Sequence, residues 1–116
     1  MASYYYEDKK VYLRPSFHAL PPAFKAGILA HELGHAHEQQ WRSLRHWDNW
    51  VSVWGELVSQ GVLDGYAAKN PREGWAEIYR LKEGYPFDPS QGGTDGKWQY
   101  DPQKVMLATF RWKAMQ

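Results

Sequence analysis

His31-Glu32-Leu33-Gly34-His35 sets two imidazoles four residues apart with a carboxylate beside the first. On a helix, side chains at that spacing lie about 40° from one another around the axis, so both rings can grip one ion. Zinc accepts such donors tetrahedrally and leaves a position for a water, whose pKa it lowers toward roughly 7. Glu32 can lean toward that open position, take the proton of the zinc-bound water and pass it to a leaving amine. The spacing therefore predicts peptide hydrolysis, with His31 and His35 as Zn2+ ligands and Glu32 as general base. The plain alternative is a solvated helix that happens to carry these residues. Phe24, Ile28, Leu29 and Leu33 recur at helical spacing and predict an apolar stripe beside the histidines, while Gly34 permits close approach of another backbone. His37, six residues from His31, points to another face and reads as a surface residue or a support behind the ligands.

A third ligand must come from elsewhere. In the metzincin pattern a glycine and a histidine would stand where Glu38 and Trp41 are, which excludes that class. Gly93-Thr94-Asp95 partly matches the aspartate motif of aspzincins, without its intervening residue, and is also an ordinary turn sequence. The segment Asn70-Pro71-Arg72-Glu73-Gly74-Trp75-Ala76-Glu77 places two glutamates four apart on one helical face. Glu73 can ligate while Glu77 supports. Equally, Glu73 can close a capping box on Asn70, and Glu77 can be a solvated charge or a partner for its helical neighbours. Spacing alone leaves these readings level.

Tyr66, Ala67, Asn70, Glu73, Ala76 and Glu77, behind the His31 to His35 motif, resemble the catalytic domain of anthrax lethal factor and the related Pro-Pro endopeptidases, which are gluzincins. Tyr4-Tyr5-Tyr6 and Val11-Tyr12-Leu13 sit like that family's strands before the active-site helix, so the resemblance covers roughly residues 3 to 83. It implies a zincin-like zinc endopeptidase with a peptide or protein substrate. Residue by residue, it implies His31, His35 and Glu73 as zinc ligands and Glu32 as base. Tyr66, seven residues before Glu73, would turn its hydroxyl to the oxyanion of the tetrahedral intermediate; its plain alternative is a packed loop tyrosine. Glu77 would hydrogen-bond a ligating histidine, with His35 the expected partner. The chain departs from the family at Gly74-Trp75, where bulky aromatic pairs are common. By the same resemblance the strand near Val11 to Leu13 is the expected rail for an extended substrate, and secretion is the favoured compartment.

The elements that must position these groups read as one α+β domain over residues 1–116, mostly helical, with a short hairpin or small sheet within residues 1–20. By the resemblance, a domain of this size would be a trimmed or minimal version of a zincin. An active-site helix is expected over 22–42, a second over about 48–60 ended by Gly61, a third-ligand helix over 70–84, and a last one over 101–116. Residues 85–100 carry the turn formers of a long loop. The tail's Val105, Met106, Thr109, Phe110 and Trp112 suit core packing; alternatively the tail covers the cleft of a self-inhibited or noncatalytic metal-bound module.

Composition narrows the partners. A net charge of +1 favours neither nucleic acid nor a membrane surface, and no apolar run approaches the roughly 20 residues of a membrane span. The first residues lack the basic and apolar regions of a signal peptide. The absence of cysteine rules out disulfides, thiolate metal sites and a cysteine nucleophile, so a metal here must use His, Asp or Glu. Seven tryptophans and eight tyrosines provide core and rim packing for a short chain expected to be a monomer.

Overall fold

The aromatic-rich start pairs with itself across a polar turn, and the described residues after Pro15 are helical or looped. In a computed structural model, which describes residues 2–42, 46–85 and 96–116, strands β1 (Ala2–Tyr5) and β2 (Lys10–Leu13) form an antiparallel hairpin with Tyr4 opposite Val11. The strands stop at Leu13; Pro15–Ala19 is a 3-10 turn. Helices α1 (Pro22–Trp41), α2 (Trp47–Ser59), α3 (Pro71–Lys82) and α4 (Pro102–Lys113) follow. The architecture is thus mostly helical with a small two-stranded sheet. No helix among the described residues is long and apolar enough to cross a membrane.

The sequence signals act where expected. Pro22, Pro71 and Pro102 each open a helix, where a missing N–H costs nothing. The Asn70 side chain accepts the Glu73 N–H at 2.9 Å, and Asp101 accepts those of Gln103 and Lys104. Gly61, with φ of 71°, turns the chain out of α2. The expected loop is in part a 3-10 turn, Lys97–Tyr100, which carries the buried Trp98.

The predicted stripe on α1 needs correction. Leu33 is 52% exposed, and the buried face is Gly27, Ala30, His31, Gly34, His35, Glu38 and Trp41. That face meets α3, with Gly34 at the closest approach, leaving Phe24, Ile28 and Leu29 half-buried on the flank. Gly34 is the pivot: a Cβ there would stand 2.8 Å from the Ala76 Cα and 3.1 Å from the Tyr79 Cβ. Gly34→Ala is therefore expected to destabilise the fold. Overpacking costs about 1–3 kcal/mol, and alanine recovers only up to about 1 kcal/mol in helix propensity. Chemical denaturation checks this; an unchanged midpoint would show that α1 and α3 can separate freely.

On the far side of α3 lies the core, built from tryptophans. Trp75 is fully buried, with ring centroids of Trp41, Trp50 and Trp112 at 4.8, 5.4 and 5.2 Å. His37 belongs here: it stacks on Trp75 and accepts the Trp75 indole N–H at 3.1 Å, and burial lowers its pKa. Gly74 explains the departure from bulky aromatics at 74–75. A Cβ there would meet the Trp54 ring at 2.6 Å, and Trp54 must lie close because its indole N–H bonds the Ala67 carbonyl at 2.9 Å. Of the tail residues, Trp112 is buried and Val105 packs partly against the core, but Met106 and Phe110 are exposed. The tail packs against α3 and α2.

Candidate metal centre

α1 offers His31 and His35 one turn apart, and α3, drawn close by Gly34, offers Glu73 from its first turn. The three side chains converge. The His31 and His35 Nε2 atoms are 3.1 Å apart; Glu73 brings Oε2 to 3.1 Å from the first and Oε1 to 2.9 Å from the second. A tetrahedral zinc with bonds of about 2.0–2.1 Å separates its ligands by about 3.3 Å. Both histidines are buried and Glu73 partly so, and the group could hold a metal ion.

The donor chemistry agrees with the spacing. His31 Nδ1 lies 3.4 Å from the Glu77 carboxylate without a hydrogen bond between them; a hydrogen on that nitrogen would face the acceptor and leave the Nε2 lone pair toward the centre. His35 Nδ1 is 3.0 Å from the Tyr6 hydroxyl. Once the rings give up the Nε2 hydrogen that bonds Glu73, two lone pairs and a carboxylate face one another, an arrangement that suits a cation among them.

Glu77, one helical turn beyond Glu73, approaches His31 and not His35, the expected partner, and it does so without a hydrogen bond. Glu77 is itself held by Arg80, whose guanidinium bonds the Glu77 carboxylate, the Tyr85 carbonyl and the Gln99 side chain. Burial opposes the Glu77 charge, but His31 and Arg80 outweigh it and lower its pKa. The capping-box alternative for Glu73 holds by half. Asn70 takes the Glu73 backbone N–H, but the Glu73 side chain goes to the histidines. Burial opposes its charge too, yet bonds from His31 and His35 hold its carboxyl well below the usual range. Asp95 lies outside the described residues.

Glu32 and Tyr66 face the same cleft, whose walls are Tyr4, Tyr6, Glu32, His35, Tyr66 and Glu73 with Ala2, Ser3, Asn70 and Arg72. Glu32 accepts the Tyr4 backbone N–H at 2.7 Å, and burial raises its pKa, the direction a proton acceptor near neutrality requires. Tyr66 sits in the 3-10 turn Gly65–Ala68, its ring 5.6 Å from that of His31. Burial and the Glu73 carboxylate beside its hydroxyl raise its pKa, so the phenol keeps its proton.

Three contributors escape sequence reasoning. The cleft is bordered by β1, not by the Val11 to Leu13 strand: β2 pairs with one edge of β1, and the Tyr4 N–H points from the other edge to Glu32. Tyr6, on the hairpin, backs His35. Glu38 is fully buried one turn beyond His35, with Arg42 at 3.6 Å and Arg72 at 3.5 Å and neither oxygen hydrogen-bonded. Burial raises its pKa against the pull of both arginines. Only Glu38 left a signal, since 31, 35 and 38 share one helical face.

The metal-free centre holds a proton. Burial disfavours charged His31, but Glu73 and Glu77 outweigh it and push its pKa from 6.5 up to about 10. That contribution to the metal-free fold is complete below about 6.5 and lost as the pH climbs through about 10. A metal must displace this proton, so its apparent affinity should rise about tenfold per pH unit between those limits. Competition titration with a chromophoric chelator at pH 7 and 8 checks it; equal affinities would show that no proton is displaced.

No family model, characterised protein or solved structure matches the chain.

Proposed function

We propose that this protein is a zinc-dependent endopeptidase of the gluzincin kind. The observation that carries the reading is the convergence of His31, His35 and Glu73 within hydrogen-bond distance of one another, with His35 and Glu73 lining a cleft that Glu32 and Tyr66 also line. A bound zinc would polarise the scissile carbonyl and acidify a water. The chain's own groups do the rest. Glu32 takes the proton of the attacking water and hands it to the leaving amine. Tyr66, still protonated, donates its hydroxyl to the developing oxyanion. Glu77 and Tyr6 hold the two imidazoles in the tautomers that ligation requires. The substrate is an extended peptide, and the outer edge of β1 is the surface beside which it would lie.

Metal analysis of the purified protein, with cleavage of a mixed peptide library read by mass spectrometry, tests the reading. One zinc per chain and chelator-sensitive cleavage are expected. Protein that takes up no zinc and cleaves nothing would sink it. The alternative, a noncatalytic or self-inhibited module with its tail over the cleft, draws no support from the packing. The described tail residues lie against α3 and α2, and none lines the cleft.

A further inference from the structure

Around the buried Glu38 the charges do not balance. Two guanidinium groups, Arg42 and Arg72, face this one carboxylate, which leaves an excess positive charge. It falls on Arg72, whose side chain is 51% exposed against 26% for Arg42 and which alone of the two lines the cleft. Arg72 is also held. Its Nε lies 3.5 Å from Glu38, and its guanidinium carbon stands 5.0 Å from the centre of the Tyr6 ring, with Arg42 at 5.2 Å from the same ring. Among the described residues, no hydrogen bond engages its two terminal nitrogens. A guanidinium paired along its Nε edge and lying over an aromatic ring keeps its two terminal nitrogens as a planar pair of donors for a ligand.

We propose that Arg72 forms a carboxylate-binding subsite of this cleft, so that the preferred substrate is a peptide with a carboxylate close to the scissile bond. The inference rests on the peptidase reading for its consequence in turnover, but not for the binding itself. The charge inventory of the described residues favours it: with a divalent metal at the centre, Glu32 and Glu73 offset the ion, Glu77 pairs with Arg80, and Arg72 has only the carboxylate it shares with Arg42. Lys69, whose ammonium stands 5.2 Å from the Tyr66 ring at the same rim, adds to the positive field. Glu38 cannot satisfy Arg72 alone, since it is shared with Arg42. An acidic side chain and a free C-terminus offer the same carboxylate chemistry, and the experiment separates them.

The experiment uses a peptide cleaved by the zinc-loaded protein, or, if none is cleaved, an extended peptide of mixed sequence. Versions carrying Glu or Gln at successive positions, and versions with a free or amidated C-terminus, are compared in two readouts. The first is kcat/KM with the wild type. The second is affinity for the zinc-loaded Glu32→Gln protein, which reports binding without turnover. A preference of about tenfold or more for the carboxylate member of a pair is expected, the scale of one exposed charge-assisted contact. A Glu-over-Gln preference assigns the subsite to a side chain, and a free-acid preference assigns it to the C-terminus. Arg72→Gln should bring the ratio close to one; Arg72→Lys, which keeps the charge but loses the fork, should retain part of it and serves if the first variant fails to fold. Equal treatment of every pair, or a preference that survives Arg72→Gln, overturns the subsite. Selective binding without cleavage would keep the subsite and overturn the peptidase reading; cleavage without selectivity would do the reverse.

Discussion

Glu32→Gln is expected to keep zinc and lose turnover. The amide is nearly isosteric with the carboxylate, and its oxygen can still accept the Tyr4 N–H that fixes the side chain at 2.7 Å, so neither α1 nor the hairpin has reason to move. Neither His31 nor His35 is bonded to Glu32, so the ligand set stands. What disappears is the only carboxylate among the described residues lining the cleft that the ligand set leaves uncommitted. General-base assistance is worth roughly 10²–10⁴ in rate, so kcat should fall at least about a hundredfold while zinc stoichiometry stays at the wild-type value. Cleavage rate and metal content, measured on the same preparation, check both halves. Undiminished turnover would remove Glu32 from its role, and loss of zinc would make it a ligand.

Legibility in the sequence follows the range of the interaction. Helix starts at Pro22, Pro71 and Pro102, the Asn70 cap and the Gly61 stop are set by neighbours within four residues, and all could be read. The pairing of His31 with His35 is equally local. Glu73 was legible as one of two open readings, because a glutamate at the third position of a capped helix has two uses. Geometry separates them: Asn70 takes the backbone N–H and leaves the Glu73 carboxylate to the histidines. Long-range choices were hidden. Hydrophobicity put the inner face of α1 on Leu33, but the close approach at Gly34 turns the histidines and Glu38 inward and Leu33 out to solvent. Which strand borders the cleft depends on which edge of β1 is left for Glu32 once β2 has paired, and two aromatic-rich strands of four residues carry no mark of that. Tyr6 and Arg72 enter the site through contacts with residues 29 and 34 positions away, on elements that look ordinary by themselves. The tyrosines and tryptophans divide accordingly: Trp75 and its neighbours fill the core, while Tyr4, Tyr6 and Tyr66 border the cleft, a division their shared aromatic character conceals.

Replacing Glu73 should have the larger effect on the metal. Glu73→Ala removes one of three protein donors, and two imidazoles alone form an incomplete site. A loss of about a thousandfold in zinc affinity, roughly 4 kcal/mol, is expected. The substitution is clean because the Asn70 cap bonds the Glu73 backbone N–H, which alanine keeps, so α3 should still start at Pro71. Glu77→Ala provides the comparison. Glu77 reaches the centre only through His31 Nδ1, and loss of such a support typically lowers metal affinity by about 10–100-fold. It also removes the carboxylate that pairs with the buried Arg80, so this variant should lose more fold stability than Glu73→Ala, which gives up the pairing of Glu73 with the histidines. Chelator competition and thermal unfolding of the metal-free proteins, run side by side, therefore yield opposite orders: Glu73→Ala weaker for zinc, Glu77→Ala weaker in fold. Wild-type affinity in Glu73→Ala would reopen the assignment of the third ligand in favour of Asp95. Equal losses in the two variants would place Glu73 beside Glu77 as a support and leave the histidine pair to find its third donor elsewhere.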